Sequence, residues 1–208
     1  MKLWYSTCTS STPVHIVLEE AGARYGRVEV SWKRDLNVAA LEALAPLGAV
    51  PALELDDGRV LTQSLAILEF VADTHPSARL LPPPGTVERA HTMAWAAFAA
   101  TDLLRAFAPL VGAENMTTSS AAQAEVRAYA LAQLQPLLAH ADRSLVGRAF
   151  LVGERFSVAD AFLFFVVSLA GWLDVPVDAH RELARFRQAI AARPAVRRVL
   201  ELEDLLDD

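Results

Sequence analysis

Residues 45–70 read APLGAVPALELDDGRVLTQSLAILEF, and this stretch decides the fold. Ala52 to Leu55 and Arg59 to Leu61 are short strand-like runs around the turn Asp56-Asp57-Gly58, which predicts a β-hairpin. Pro51 has no N–H to give a sheet ladder, so it marks the hairpin's beginning. A cis peptide there would turn the Val50 backbone outward, leaving its N–H and C=O free for an extended ligand. After the hairpin, Ser64 is read as the cap of a helix with Leu65, Leu68, Val71 and Ala72 on one face. Gln63-Ser64 at that N-terminus brings together a hydroxyl, free backbone N–H groups and the positive dipole end. These are the makings of an anion site.

Upstream, Lys2 to Ser6 is a strand candidate. Thr12 as N-cap and Pro13 in the first turn start a helix with Val14, Val17, Leu18 and Ala21 at helical spacing, and Gly22 is its stop. Tyr25 to Ser31 reads as a second strand. The order is βαβ then ββα, a small α/β unit with a mixed sheet over residues 1–78. Residues 79–87 contain Pro82-Pro83-Pro84-Gly85, a stiff connector. Residues 88–208 show only helical patterns, with connections expected at 112–120 and 141–150. Ser157-Val158-Ala159-Asp160 has the form of a capping box, which makes Asp160 structural. Val158 to Leu173 follows as an apolar helix buried on all sides, too short to span a bilayer.

Composition excludes several classes. The 208 residues are 53% hydrophobic and 21% charged, so the chain is not disordered. With 19 Lys and Arg against 25 Asp and Glu, the net charge of −6 argues against a nucleic-acid partner. One Cys excludes an intrachain disulfide and a multi-Cys zinc site, and five scattered His give no support to a metal. The N-terminus turns polar after five residues, unlike a signal peptide. The expected compartment is the cytoplasm, which keeps Cys8 reduced.

The opening MKLWYS, the VPAL-L-DG-L-QS-AI run, the proline-rich connector and the Ser157–Asp160 motif together resemble the glutathione transferase superfamily, nearest in flavour to the bacterial beta class. The resemblance spans essentially the whole chain. It implies a thioredoxin-like N-terminal domain, an all-helical C-terminal domain, glutathione as cosubstrate without a metal, and a homodimer. It implies that the Val50 backbone before Pro51 pairs with the cysteinyl part of glutathione. Gln63 and Ser64 would hold its γ-glutamyl end. Lys33 or Arg34 would reach the glycine carboxylate, and Asp102 would cross the dimer to the γ-glutamyl amine.

The catalytic position departs from the beta-class pattern. Ser10 stands where that class has Cys, and Leu104 where it has His. Cys8 falls where omega-class relatives place Cys. Ser11 and Tyr5 are further candidates for the group that contacts the sulfur. A Cys8 nucleophile favours thiol–disulfide exchange. A Ser10 donor favours conjugation or glutathione-dependent isomerisation. Trp95, Phe98, Leu104, Phe107 and Trp172 are candidate walls for a hydrophobic electrophile. The competing reading is a non-catalytic ligand-binding or partner-binding protein on the same fold.

Overall fold

The computed structural model describes residues 1–177 and 179–206. Its first half forms a four-stranded sheet in the order β2-β1-β3-β4. β1 (Lys2–Tyr5) pairs parallel with β2 (Gly26–Glu29) and antiparallel with β3 (Ala52–Glu54), which pairs antiparallel with β4 (Val60–Thr62). Side chains alternate across this sheet. Leu3, Tyr5 and Leu53 enter the main core with α1 (Thr12–Glu20) and α3 (Ser64–Thr74). Trp4 and Ala52 face the other way, into a smaller cluster with Val30, Leu41 and Ala45.

The cap assignments shift by one residue. Ser11, not Thr12, is the N-cap of α1, and Gln63, not Ser64, is the N-cap of α3. Neither cap side chain bonds its helix; the Ser11 hydroxyl instead donates to the Ser6 carbonyl. α1 ends as expected: Gly22 takes φ 63°, and the Ala23 N–H reaches the Leu18 carbonyl at 3.0 Å. A helix absent from the sequence reading, α2 (Val38–Leu44), covers the Trp4 face through Leu41.

The second half is helical. α4 (Val87–Ala97) runs through a π-turn (Phe98–Leu103) into the short α5 (Leu104–Ala106), then α6 (Ala108–Met116) and α7 (Ser120–Ser144). α8 (Val158–Trp172), α9 (Arg181–Ala191) and α10 (Pro194–Leu202) follow. Two expected connections are corrected. Gly112 does not end a helix but is absorbed as a kink inside α6, and only residues 117–119 separate α6 from α7. α7 continues past Ala141, because Leu134, Leu138, Ala141 and Leu145 form one buried stripe.

α8 is buried from Val158 to Ala170. Its first turn holds the capping box, with Asp160 accepting from the Ser157 N–H at 2.9 Å and hydroxyl at 2.7 Å. The same carboxyl also takes the Leu151 N–H at 2.9 Å. A second apolar helical run, Val87–Met116, is long enough to cross a membrane by length and composition. It is studded with Glu88, Arg89, Asp102, Arg105 and Glu114 and packs on α8 and α7 as a bundle helix does.

The two halves are joined by Arg89 of α4. Its largely buried guanidinium grips both Asp73 oxygens at 2.7 and 2.8 Å, Glu69 at 2.7 Å and the Pro82 carbonyl at 3.2 Å. This is the planar two-oxygen recognition that Arg gives and Lys does not.

Candidate functional site

The strand register gathers three segments at one end of the sheet. Ala52 pairs with both Trp4 and Thr62. Val50-Pro51 therefore enters the sheet beside the point where β1 gives way to the loop 6–11. Gln63-Ser64 leaves it at the same end. The Val50–Pro51 peptide is cis, the form the sequence reading named. Gln63 sits exposed at φ 69°, ψ 115°, a sparsely populated backbone region for a side-chain-bearing residue. Such conformations persist where surrounding structure enforces them and cluster at binding sites.

Hydrogen bonds tie these segments together at Ser10. The Ser64 hydroxyl donates to the Ser10 carbonyl at 3.0 Å, and the Ser10 hydroxyl points to the Val50 carbonyl at 3.4 Å. The second distance is beyond the usual O–H···O range, so that hydroxyl is held weakly. Ser10, Val50 and Ser64 are thus brought to one place.

The rest of the loop is a knot of short side chains. The Thr9 and Ser11 hydroxyls donate to the Ser6 carbonyl at 2.7 and 2.9 Å, and the Ser6 N–H reaches Ser11 Oγ at 3.1 Å. Ser11 is fully buried, so its hydroxyl serves the loop and does not face a ligand, a correction to its place among the sulfur-contacting candidates. Tyr5 is buried in β1 with its ring 5.4 Å from His15. Burial raises its phenol above the ordinary value.

Cys8 is half-buried at φ 58°. Burial pushes its thiol up to about 11, and the Glu203 carboxylate pushes the same way. Burial and this neighbouring anion both disfavour the Cys8 thiolate.

Other expected residues lie farther out. Lys33 is exposed in the turn closed by the Ser31–Leu36 bridge. Arg34, paired with Glu29, instead joins Tyr5, Thr7 and Glu203 around a cleft of about 380 Å³ at the end of β1. Asp102 is exposed in the π-turn and accepts from the Thr101 hydroxyl at 2.8 Å. Leu104 and Trp172 are half-buried against the main core. Phe107 is 2% exposed and belongs to the core, not to an electrophile pocket. Trp95 and Phe98 also turn away: Trp95 stacks on His140 at 5.1 Å and Phe98 meets the same ring edge-on, in a cleft wholly within the helical half.

A cavity of about 930 Å³ lies at the far seam, between the end of α3, the proline-rich connector and Phe156. It includes no residue of the loop 6–11, the 50–51 peptide or the 63–64 pair.

The sequence reading missed a group behind the loop. The Glu203 carboxyl, at the end of α10, accepts the Thr12 hydroxyl at 2.8 Å and meets His15 Nδ1 at 2.7 Å. The available signal was two polar side chains, Thr12 and His15, within the otherwise apolar stretch 12–18 of α1.

The glutathione S-transferase N-terminal domain model matches residues 7–74 and the C-terminal domain model matches residues 92–194. The chain is 34% identical to glutathione S-transferase GstA of Escherichia coli O157:H7 over 207 residues, which is 99% of this chain and 100% of that protein. A sphingomonad glutathione S-transferase solved in complex with glutathione superposes with a TM-score of 0.85 at 32% identity, covering 99% of this chain and 100% of that one. The beta-class glutathione S-transferase of Sphingomonas chungbukensis gives 0.86 at 31%, with the same coverage. Matched in both halves and over its full length, the chain belongs to the glutathione S-transferase family.

Proposed function

We propose that this transferase binds glutathione stretched along the edge at Val50, with its γ-glutamyl end at Gln63-Ser64, and that the Ser10 hydroxyl donates to the sulfur. A free thiol of pKa about 8.5 is mostly protonated at pH 7. A hydroxyl donated to sulfur at a helix N-terminus favours the thiolate. The observation that supports Ser10 is its position: joined to both Val50 and Ser64, with a hydroxyl whose 3.4 Å bond is weak enough to be redirected to an arriving sulfur. Cys8 is the weaker candidate because its thiol stays protonated.

The reaction this favours is attack of the glutathione thiolate on a hydrophobic electrophile held against the helical half, or glutathione-dependent isomerisation. Thiol–disulfide exchange through a Cys8 mixed disulfide is the less favoured chemistry. The protein's part is to position glutathione and tune its sulfur. We place the enzyme in the cytoplasm as a homodimer, with Asp102 reaching the partner's glutathione. Sedimentation at micromolar concentration tests the dimer.

Isothermal titration with glutathione, followed by an electrophile screen, tests the reading. Binding at or below millimolar concentration is expected, and Ser64→Ala should weaken it about tenfold, the loss of one charge-assisted hydrogen bond. Absence of binding at millimolar glutathione overturns it.

A further inference from the structure

We propose that the cavity at the far seam is a second binding site, separate from the glutathione edge, and that it takes a neutral, flat, apolar ring compound.

The cavity holds about 930 Å³ between the end of α3, the proline-rich connector and the loop 152–157 before α8. Small-molecule sites span roughly 300–1,000 Å³ and favour the seams between domains. No residue of the loop 6–11, the 50–51 peptide or the 63–64 pair takes part, so the two sites fill independently.

The walls are fixed before any ligand arrives. The Leu80 carbonyl accepts the Val158 N–H at 3.1 Å, the Pro82 carbonyl accepts Arg89 at 3.2 Å, and the Pro83 carbonyl accepts the Thr86 hydroxyl at 2.8 Å. Pro82, Pro83 and Pro84 lock φ along the same stretch. Phe156 has the Arg193 guanidinium 4.3 Å from its ring centre and Phe150 edge-on at 6.4 Å. The Ser157–Asp160 capping box sets the chain that carries it. Walls that need no ordering remove one cost of binding.

The same walls choose the ligand. Leu81, Val152, Phe156 and the prolines supply apolar contact. Three guanidinium groups, Arg79, Arg89 and Arg155, share the lining with three carboxylates, Asp73, Glu88 and Glu154. Arg89 and Asp73 neutralise each other through hydrogen bonds at 2.7 and 2.8 Å. Arg79, Arg155, Glu88 and Glu154 are exposed and balance in sign. An anion or a cation would lose hydration here without a matching surplus of opposite charge. A neutral ring keeps the apolar contact, and its flat face suits the Phe156 ring.

The test uses N-phenylnaphthylamine, a neutral dye that fluoresces in apolar surroundings, and anilinonaphthalene sulfonate, the same ring system carrying a sulfonate. Each is titrated into the full chain with and without saturating S-hexylglutathione, which occupies the glutathione edge and the space before the sulfur. The neutral dye is expected to bind once per chain in the micromolar range, within about twofold of the same affinity when S-hexylglutathione is present. The sulfonate should bind about tenfold or more weakly. Val152→Glu places a charge in the wall and should weaken the neutral dye about tenfold, whereas Val152→Met should stay within about twofold. Leu81→Gln, a change on the connector wall, should weaken it about threefold or more and decides the matter if circular dichroism shows Val152→Glu unfolded. No binding of the neutral dye, its displacement by S-hexylglutathione, tighter binding of the sulfonate, or unaltered affinity in the folded wall variants would overturn the site. If S-hexylglutathione itself does not bind, the glutathione reading falls, and the wall variants still decide this site.

Discussion

Asp160→Ala is expected to destabilise the protein by about 4 kcal/mol at pH 5, because it orphans three buried donors at once. These are the Leu151 and Ser157 N–H groups and the Ser157 hydroxyl, all within 2.9 Å of the carboxyl. For a chain of this length the melting temperature should fall by roughly 10 °C. The pH dependence has a definite sign. Burial raises the Asp160 carboxyl from 3.8 to about 6, against the opposing pull of its hydrogen bonds. A carboxyl raised on folding stabilises fully below its unfolded value and loses that contribution as pH climbs through its folded value. The gap between wild type and Asp160→Ala should therefore narrow, by on the order of 1 kcal/mol, from pH 5 to pH 7.5. Hydrogen bonds from Arg89, Arg59 and Lys2 lower Asp73, Asp57 and Glu54, which titrate in the opposite sense. The difference between the two proteins, measured by urea unfolding at each pH, is thus the quantity to read. A gap that widens with pH would contradict the assignment.

Ser10→Ala should lower kcat for conjugation about 10²- to 10³-fold, the usual loss when one donor to a developing anion is removed. Cys8→Ser should stay within about threefold of wild type, since a thiol that remains protonated contributes little to the rate. The affinity for glutathione should change little in either variant, because the γ-glutamyl end is held elsewhere. The opposite pattern, loss in Cys8→Ser and retention in Ser10→Ala, would make Cys8 the reactive group and disulfide exchange the chemistry. Equal activity in both variants would reject both residues.

What the sequence revealed was mostly local chemistry. The hairpin at 52–62, the proline at 51 and the Gln63-Ser64 pair all follow from turn residues within a few positions of one another. The Gly22 stop and the box at 157–160 are legible for the same reason. α2 follows Asn37, a residue type that commonly precedes a helix, although here it lies in the left-handed region and makes no side-chain cap bond. The helix survives on a short Ala- and Leu-rich run that buries Leu41 under the sheet. Gly112 was over-read as a stop, since a bundle can hold a kinked helix in place by packing on both sides of the kink.

The site was legible to the same extent. The spacing could not say that Ser11 turns inward to staple its own loop, nor that Phe107 faces the core and not a pocket, because an apolar helix stripe looks the same in both cases. Thr12, His15 and Glu203 meet across nearly the whole chain, and no local pattern joins them.

A crystal structure of the protein with glutathione tests the central claim most directly. The account predicts the γ-glutamyl end at Gln63 and Ser64, the cysteinyl backbone along Val50, and the sulfur within hydrogen-bonding distance of Ser10 Oγ. A sulfur turned toward Cys8, or a tripeptide bound away from this edge, would contradict it.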